Sequence, residues 1–273
     1  MDILNKNSFT QNVPAYLGKR LGKWLLPGSI ILALMIWQGI ILWNEFPAFI
    51  LPSPWMVLVR LQQTVLDGSL LLHSAVTLLE VLTGLLIGGT LATILGYFLA
   101  RSRLLEKLVS PYLVASQAIP IVAIAPLLVI WFGAGITSKI LVCSLIVFFP
   151  MLINTIVGLR AVPENLRDLM LSLKATRRQI LLYLEIPSAM PIFLGGLRIG
   201  ATLAVVGAVV GEFVGAKYGL GFLINVGRGQ YDTALVFVAI LTLVAMALSL
   251  YGSVLLMEKR LLRWHNRQTM GEQ

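Results

Sequence analysis

The residues with the means to do chemistry are polar or charged groups set inside long apolar runs: Glu80, Gln117, Arg198 and Glu212. A charge at the centre of a membrane helix costs at least about 2.5–3.5 kcal/mol, so such groups face a cavity, a counter-charge or a partner. Two roles fit them: an ion pair between helices, or the lining of a path for a polar solute. Glu212 stands among Gly207, Gly211 and Gly215 at four-residue spacing. Small residues at that spacing form a ridge that lets another helix come close, so a carboxylate beside it faces protein or cavity rather than lipid. Glu80 and Glu212 are expected on the same side of the membrane, with Arg198 nearer the other. Gln117 precedes Ile119-Pro120 and Pro126. Proline inside a helix removes a hydrogen bond and bends it, giving a fixed kink or a gate.

Other chemistries are missing from the sequence. A phosphate loop needs Gly, four residues, then Gly-Lys-Ser/Thr, so that backbone amides cradle phosphate. The nearest approach, Gly18 followed by Gly22-Lys23-Trp24, has the wrong gap and no hydroxyl. The histidines are His73, expected in a loop or at a helix end, and His265, expected in a tail; neither belongs to an H-E-x-x-H pattern. The single cysteine, Cys143, cannot form a disulfide within the chain and reads as a small buried packing residue. No metal or cofactor is expected. The chain is not expected to be an enzyme by itself, and energy for any pumping must come from a partner or an ion gradient.

Membrane helices must position these groups. The 273 residues are 58% hydrophobic and 12% charged, with a mean hydropathy of +0.89. Soluble domains hold about 45–50% apolar and about 25% charged residues. Six runs approach the roughly 20 residues that cross a bilayer, at 24–43, 75–100, 109–132, 140–159, 189–214 and 234–257. They are continuous rather than alternating, which points to helices and not barrel strands. The first run follows Lys19, Arg20 and Lys23, but it outruns a signal peptide's apolar region of about 7–15 residues and reads as a retained helix.

Of the 21 lysines and arginines, sixteen fall on one set of loops, among them Arg101, Arg103, Lys107, Arg160 and Arg167. The other loops hold Arg60, Lys139, Lys217 and Arg228. This bias places both termini in the cytoplasm, and it accounts for the formal charge of +9 without nucleic acid.

The cytoplasmic loop 160–185 reads RAVPENLRDLMLSLKATRRQILLYLE. Pro163 suits a first helical turn. Leu166, Leu169, Met170 and Leu173 recur at helical spacing as one apolar stripe, with Glu164, Arg167, Asp168 and Lys174 off it. Thr176 and Gln179 form a capping box for a second helix. An amphipathic helix between two spans either lies at the headgroup boundary or fits a groove on another protein.

Asp168-Leu169-Met170, Lys174 and Leu184-Glu185-Ile186-Pro187 resemble, in type and spacing, the "EAA" signature of bacterial ABC importer permeases. Phe149-Pro150, Asn154-Thr155, Gly158-Leu159-Arg160, Pro187-Ser188-Ala189-Met190-Pro191, Gly196-Leu197-Arg198, Gly219-Leu220-Gly221 and Leu51-Pro52-Ser53-Pro54 are similar to the nitrate/sulfonate/taurine type. The run 116–128 resembles the branch that handles thiamine-precursor pyrimidines or riboflavin. Two departures stand out: Asp168 replaces Glu, and Lys174 replaces Gly, which is strained if the position needs φ > 0.

The resemblance implies an all-α transmembrane, six-helix type I ABC importer permease fold. It implies a cytoplasmic segment 1–23, a permease domain 24–257 with coupling helices at 163–185, and a cytoplasmic tail 258–273. Leu166, Asp168, Leu169, Met170, Leu173 and Lys174 would couple to two separate ATPase subunits. Further partners would be a second, identical permease and an extracytoplasmic solute-binding protein. A gradient-driven transporter or channel is the alternative.

Overall fold

A backbone in lipid must satisfy its own hydrogen bonds, and among the described residues every regular element is helical. A computed structural model describes residues 15–262, with side chains from residue 27 onward. Residues 1–14 of the expected N-terminal segment, and 263–273 of the expected tail with His265, lie outside the described residues. The elements are α1 (Ala15–Asn44), α2 (Pro54–Leu66), α3 (Ser69–Arg101), α4 (Arg103–Gln117), α5 (Ile121–Phe132) and α6 (Ile136–Arg160). There follow α7 (Glu164–Ser172), α8 (Arg177–Ile180), a π turn (Leu181–Glu185), α9 (Ile186–Gly215), α10 (Leu220–Gly229) and α11 (Thr233–Leu261).

Five helical stretches among the described residues are long and apolar enough to cross a membrane: those containing α1, α3, α6, α8–α9 and α11. The third expected span is not one helix. It breaks into α4 and α5, bent by 92°. Pro120 is extended at φ −65° and ψ 120°, which interrupts the helical path between α4 and α5, so the chain turns there instead of kinking. Counted as one span, this pair is the sixth.

The core forms where α6 lies between α3 and α9. Glycines permit the approach: a Cβ on Gly88 of α3 would stand 2.9 Å from Ser144 Cα, and one on Gly207 of α9 would stand 2.9 Å from Cys143 Cα. Val81, Ala92, Val147, Met151, Ala204 and Ala208 fill the space between the three. Cys143 is buried there, its Sγ 3.5 Å from the Ala204 carbonyl, as a packing residue should be. α11 closes the bundle against α9 and α10. α1 stands apart: none of its described side chains is buried, and Trp37 stacks on Phe237 of α11 at 5.0 Å.

Two short helices, α2 and α10, lie where the sequence suggests only loops. Ser53 caps α2 by accepting from the Met56 N–H at 3.3 Å, with Pro54 at the first helical position. Arg60 of α2 pairs with Asp232, the N-cap of α11, at 2.8 Å.

Between α8 and α9 the helix widens into its π turn, with the Ile186 N–H reaching back five residues to Leu181. Pro187 offers no N–H to Tyr183, and its ring crowds that carbonyl; widening the turn relieves the crowding.

Replacing Gly88 with valine forces α3 off α6. Gly88→Val is expected to destabilise by about 1–3 kcal/mol or more, seen as lost monodisperse protein in detergent. Gly195→Ala, on α9 with nothing within 4 Å, should leave the yield unchanged.

Candidate functional site

Among the described residues, the exposed amphipathic helix α7 and two buried polar clusters, one at each end of the bundle, stand out. On α7 the expected stripe divides. Successive residues turn by about 100°, which puts Met170 at the stripe's edge nearest the bundle. Met170 packs with Ala175 against Val162, Ile180 and Leu184. Leu166, Leu169 and Leu173 stay exposed, the last at 70%. Asp168 and Lys174 are exposed as well.

α7 ends in a Schellman turn. The Ala175 N–H reaches the Met170 carbonyl and the Lys174 N–H reaches Leu171, each at 2.9 Å. Such a turn needs a left-handed residue just past the helix, and Lys174 supplies it at φ +57°. The position therefore does demand positive φ, and lysine adopts it at a cost. Thr176 and Gln179 make both halves of the capping box that starts α8.

Beside α7 lies the first cluster. Glu185, at the end of the π turn, is 1% exposed. Its Oε2 accepts from Arg101 Nη2 at 2.6 Å and its Oε1 from Arg167 Nη2 at 2.5 Å. The Arg101 guanidinium also lies 4.9 Å over the Tyr97 ring. Nearby, Arg160 grips Glu106 with both terminal nitrogens, tying α6 to α4.

The second cluster holds the start of α10. Three successive backbone N–H groups find side-chain acceptors there. Gly219 donates to His73 Nδ1 at 2.9 Å, Leu220 to Thr77 Oγ1 at 2.8 Å, and Gly221 to Glu212 Oε2. Thr77 donates in turn to Glu212 Oε1 at 2.7 Å. A carboxylate at a helix N-terminus satisfies orphan donors and the helix dipole together. Gly219 sits at φ +120°, and a Cβ there would run into the Glu212 carboxyl. Glu80 is buried beside Glu212, with Oε2 lacking a hydrogen-bond donor. Lys139 Nζ donates to the carbonyls of Ala134 at 2.5 Å and Gly215 at 2.9 Å.

Residues 88–263 match the family described as binding-protein-dependent transport system inner membrane component. The riboflavin transport system permease protein of Chloroflexus aurantiacus is 48% identical over 88% of this chain and 89% of its own length. The formylaminopyrimidine transport permease protein of Halalkalibacterium halodurans is 38% identical, over 81% and 88%. The taurine transport system permease protein of Escherichia coli is 29% identical, over 87% and 88%. The chain belongs to this family of ABC importer permeases. It is a multi-pass inner-membrane protein with the all-α type I permease fold. Permease subunits of this family are not themselves enzymes, and membership implies an ATPase and a solute-binding protein as partners.

Of the permease's four expected pathway residues, the structure brings two together, Glu80 and Glu212, buried at the α10 end. Arg198 is half-buried, paired with Glu258 of α11 at 3.2 Å and 5.7 Å from the Tyr251 ring centre. Gln117 is exposed at the α4–α5 break and lines an open groove with Ser116, Ile146, Phe149 and Leu203.

Lys139 corrects the loop reading. It lies in the first turn of α6 at 1% exposure, because its stem packs at Gly211 while the ammonium folds back onto two carbonyls. His73 lies near the N-terminal end of α3, as the helix-end alternative has it, and is buried there. Neither the Glu185 pair nor the Thr77–His73 clasp was apparent in the sequence. The signals were there in part: Glu185 stands alone in an apolar stretch, and Gly219-Leu220-Gly221 marks a tight approach.

Glycine at position 174 relieves the left-handed strain. Lys174→Gly is expected to steady α7 by about 0.5–1 kcal/mol, slowing amide exchange across it roughly 2- to 5-fold. Glu212→Gln keeps the shape but sets an amide donor against Thr77 or Gly221. It should lower transport while leaving membrane insertion intact, and unchanged uptake would show that the α10 clasp does not depend on the charge.

Proposed function

We propose that two copies of this chain form the membrane path of an ATP-driven importer, with one ATPase subunit docked on α7 of each copy. The observation that carries this reading is the division of α7. One side is anchored through Met170 and Arg167, while Leu166, Leu169 and Leu173 are left uncovered beside Asp168. An amphipathic helix with three apolar anchors at helical spacing suits a groove on a protein partner. The lysine and arginine bias supports a cytoplasmic α7 and cytoplasmic termini, on the side where ATP is available.

Gln117 supports the pairing of two permeases. A polar amide at a broken span, facing an open groove, gains a second wall when another copy closes over it. The path then runs between the copies past Gln117, and the Glu80–Glu212 cluster and Arg198 brace the helices around it. ATP binding would draw the two α7 helices together and switch the path between outward and inward access. A solute-binding protein outside would deliver the cargo.

The solute is a small organic nutrient. The proteins similar at 48% and 38% identity carry names for riboflavin and formylaminopyrimidine transport, which favours a heteroaromatic cargo over a sulfonate or nitrate. Nothing among the described residues favours a gradient-driven transporter.

Leu169→Asp places a charge in the docking face without touching the bundle. In vesicles with the assembled importer, ATP-dependent uptake of labelled riboflavin or formylaminopyrimidine is expected to fall at least about tenfold as the ATPase dissociates. Chain abundance should not change. Retained ATPase, or uptake of taurine in preference to both heteroaromatics, would contradict the reading.

A further inference from the structure

Docking on α7 does useful work only if movement of α7 reaches the helices that line the path. α7 follows α6 in the chain, separated by a short bend at 161–163. Its apolar underside packs on α8 and the π turn through Met170, Ile180 and Leu184, which leads toward α9. None of those contacts reaches α3, the third helix of the core.

The link to α3 is ionic. The carboxylate of Glu185 is shared between Arg101, the last residue of α3, and Arg167, which directly precedes Asp168 on α7. Each oxygen takes one guanidinium, so neither partner can leave without stranding a buried acceptor. The partners are not free to swing. Arg101 is laid against the Tyr97 ring of its own helix, and Glu185 sits at the end of the widened turn that opens α9. One side chain therefore joins the end of α3 and the start of α9 to the middle of α7. The opposite charges 84 and 18 residues away are both drawn inward to it.

We infer that Glu185 is a positioning residue that transmits displacement of the docking helix α7 to α3 and α9 together. The ionic link joins α3 to α7 directly, whereas packing reaches α3 only indirectly, through α6 and α9. The inference rests on α7 being the ATPase docking element. It adds what carries the motion onward.

The test uses the chain assembled with its ATPase and a nitroxide label at Ser172→Cys on α7 or Phe98→Cys on α3. Both sites are exposed, while Cys143 is buried. Spectra are compared between the resting complex and the complex trapped with ATP and vanadate. In the otherwise unaltered chain both labels should respond to trapping. With Glu185→Gln the α7 label should still respond, while the α3 response falls to less than half. A purely structural role would lower the yield of complex and leave the ratio of the two responses unchanged. Equal responses of both labels in Glu185→Gln overturn the inference. If that variant fails to assemble, Arg101→Gln, which keeps the Glu185–Arg167 pair, is held to the same criterion. Failure of the α7 label to respond in the unaltered chain would instead sink the docking reading itself.

Discussion

Burial strips water from the Glu185 carboxylate, and two guanidinium groups from different elements take its place. That replacement fixes how α7 is rolled. With Arg167 turned inward to the carboxylate and Met170 packed beneath, the roughly 100° step between residues leaves Leu166, Leu169 and Leu173 facing away from the bundle. An apolar face held outward by an ion pair on the neighbouring side is a presented surface, not a leftover one. The functional reading of the chain follows from that presentation.

The same constraint operates at the opposite end. There the groups in need of partners are backbone N–H groups at the start of α10, and the chain supplies His73, Thr77 and Glu212 from two long helices. Glu212 is thereby engaged in holding a short helix, and Gly219 and Gly221 leave room for its carboxyl. Both clusters use a buried carboxylate to join separate elements of the bundle. Between them, the glycine-lined contacts of α6 with α3 and α9 keep the core close and uniform.

Much of this was legible in the sequence. Long apolar runs gave the spans, since a membrane backbone has few alternatives, and the α7 stripe and the Thr176–Gln179 box follow from helical spacing. The lysine that stands in a glycine position does adopt the left-handed backbone that glycine would suit. What escaped has physical reasons. Pro120 announced a bend, but whether a proline kinks a helix or turns it by 92° depends on what packs around it. Lys139 lies at the edge of an apolar run, and its destination at two carbonyls is set by tertiary contact. Arg101 and Arg167 looked like ordinary positive-inside residues, because their shared acid is brought to them only by folding. Short helices such as α2 and α10 are too brief for periodicity to separate them from loops.

That α7 is a plug for a separate motor, and not an element lying in the headgroups, is best tested by proximity in the assembled complex. A photoactivatable cross-linker carried at Leu169→Cys, in a chain whose native cysteine is buried, reports what covers that position. The account predicts a cross-linked product with the ATPase subunit. Capture of lipid alone, with the ATPase present and active in the same membranes, would contradict it.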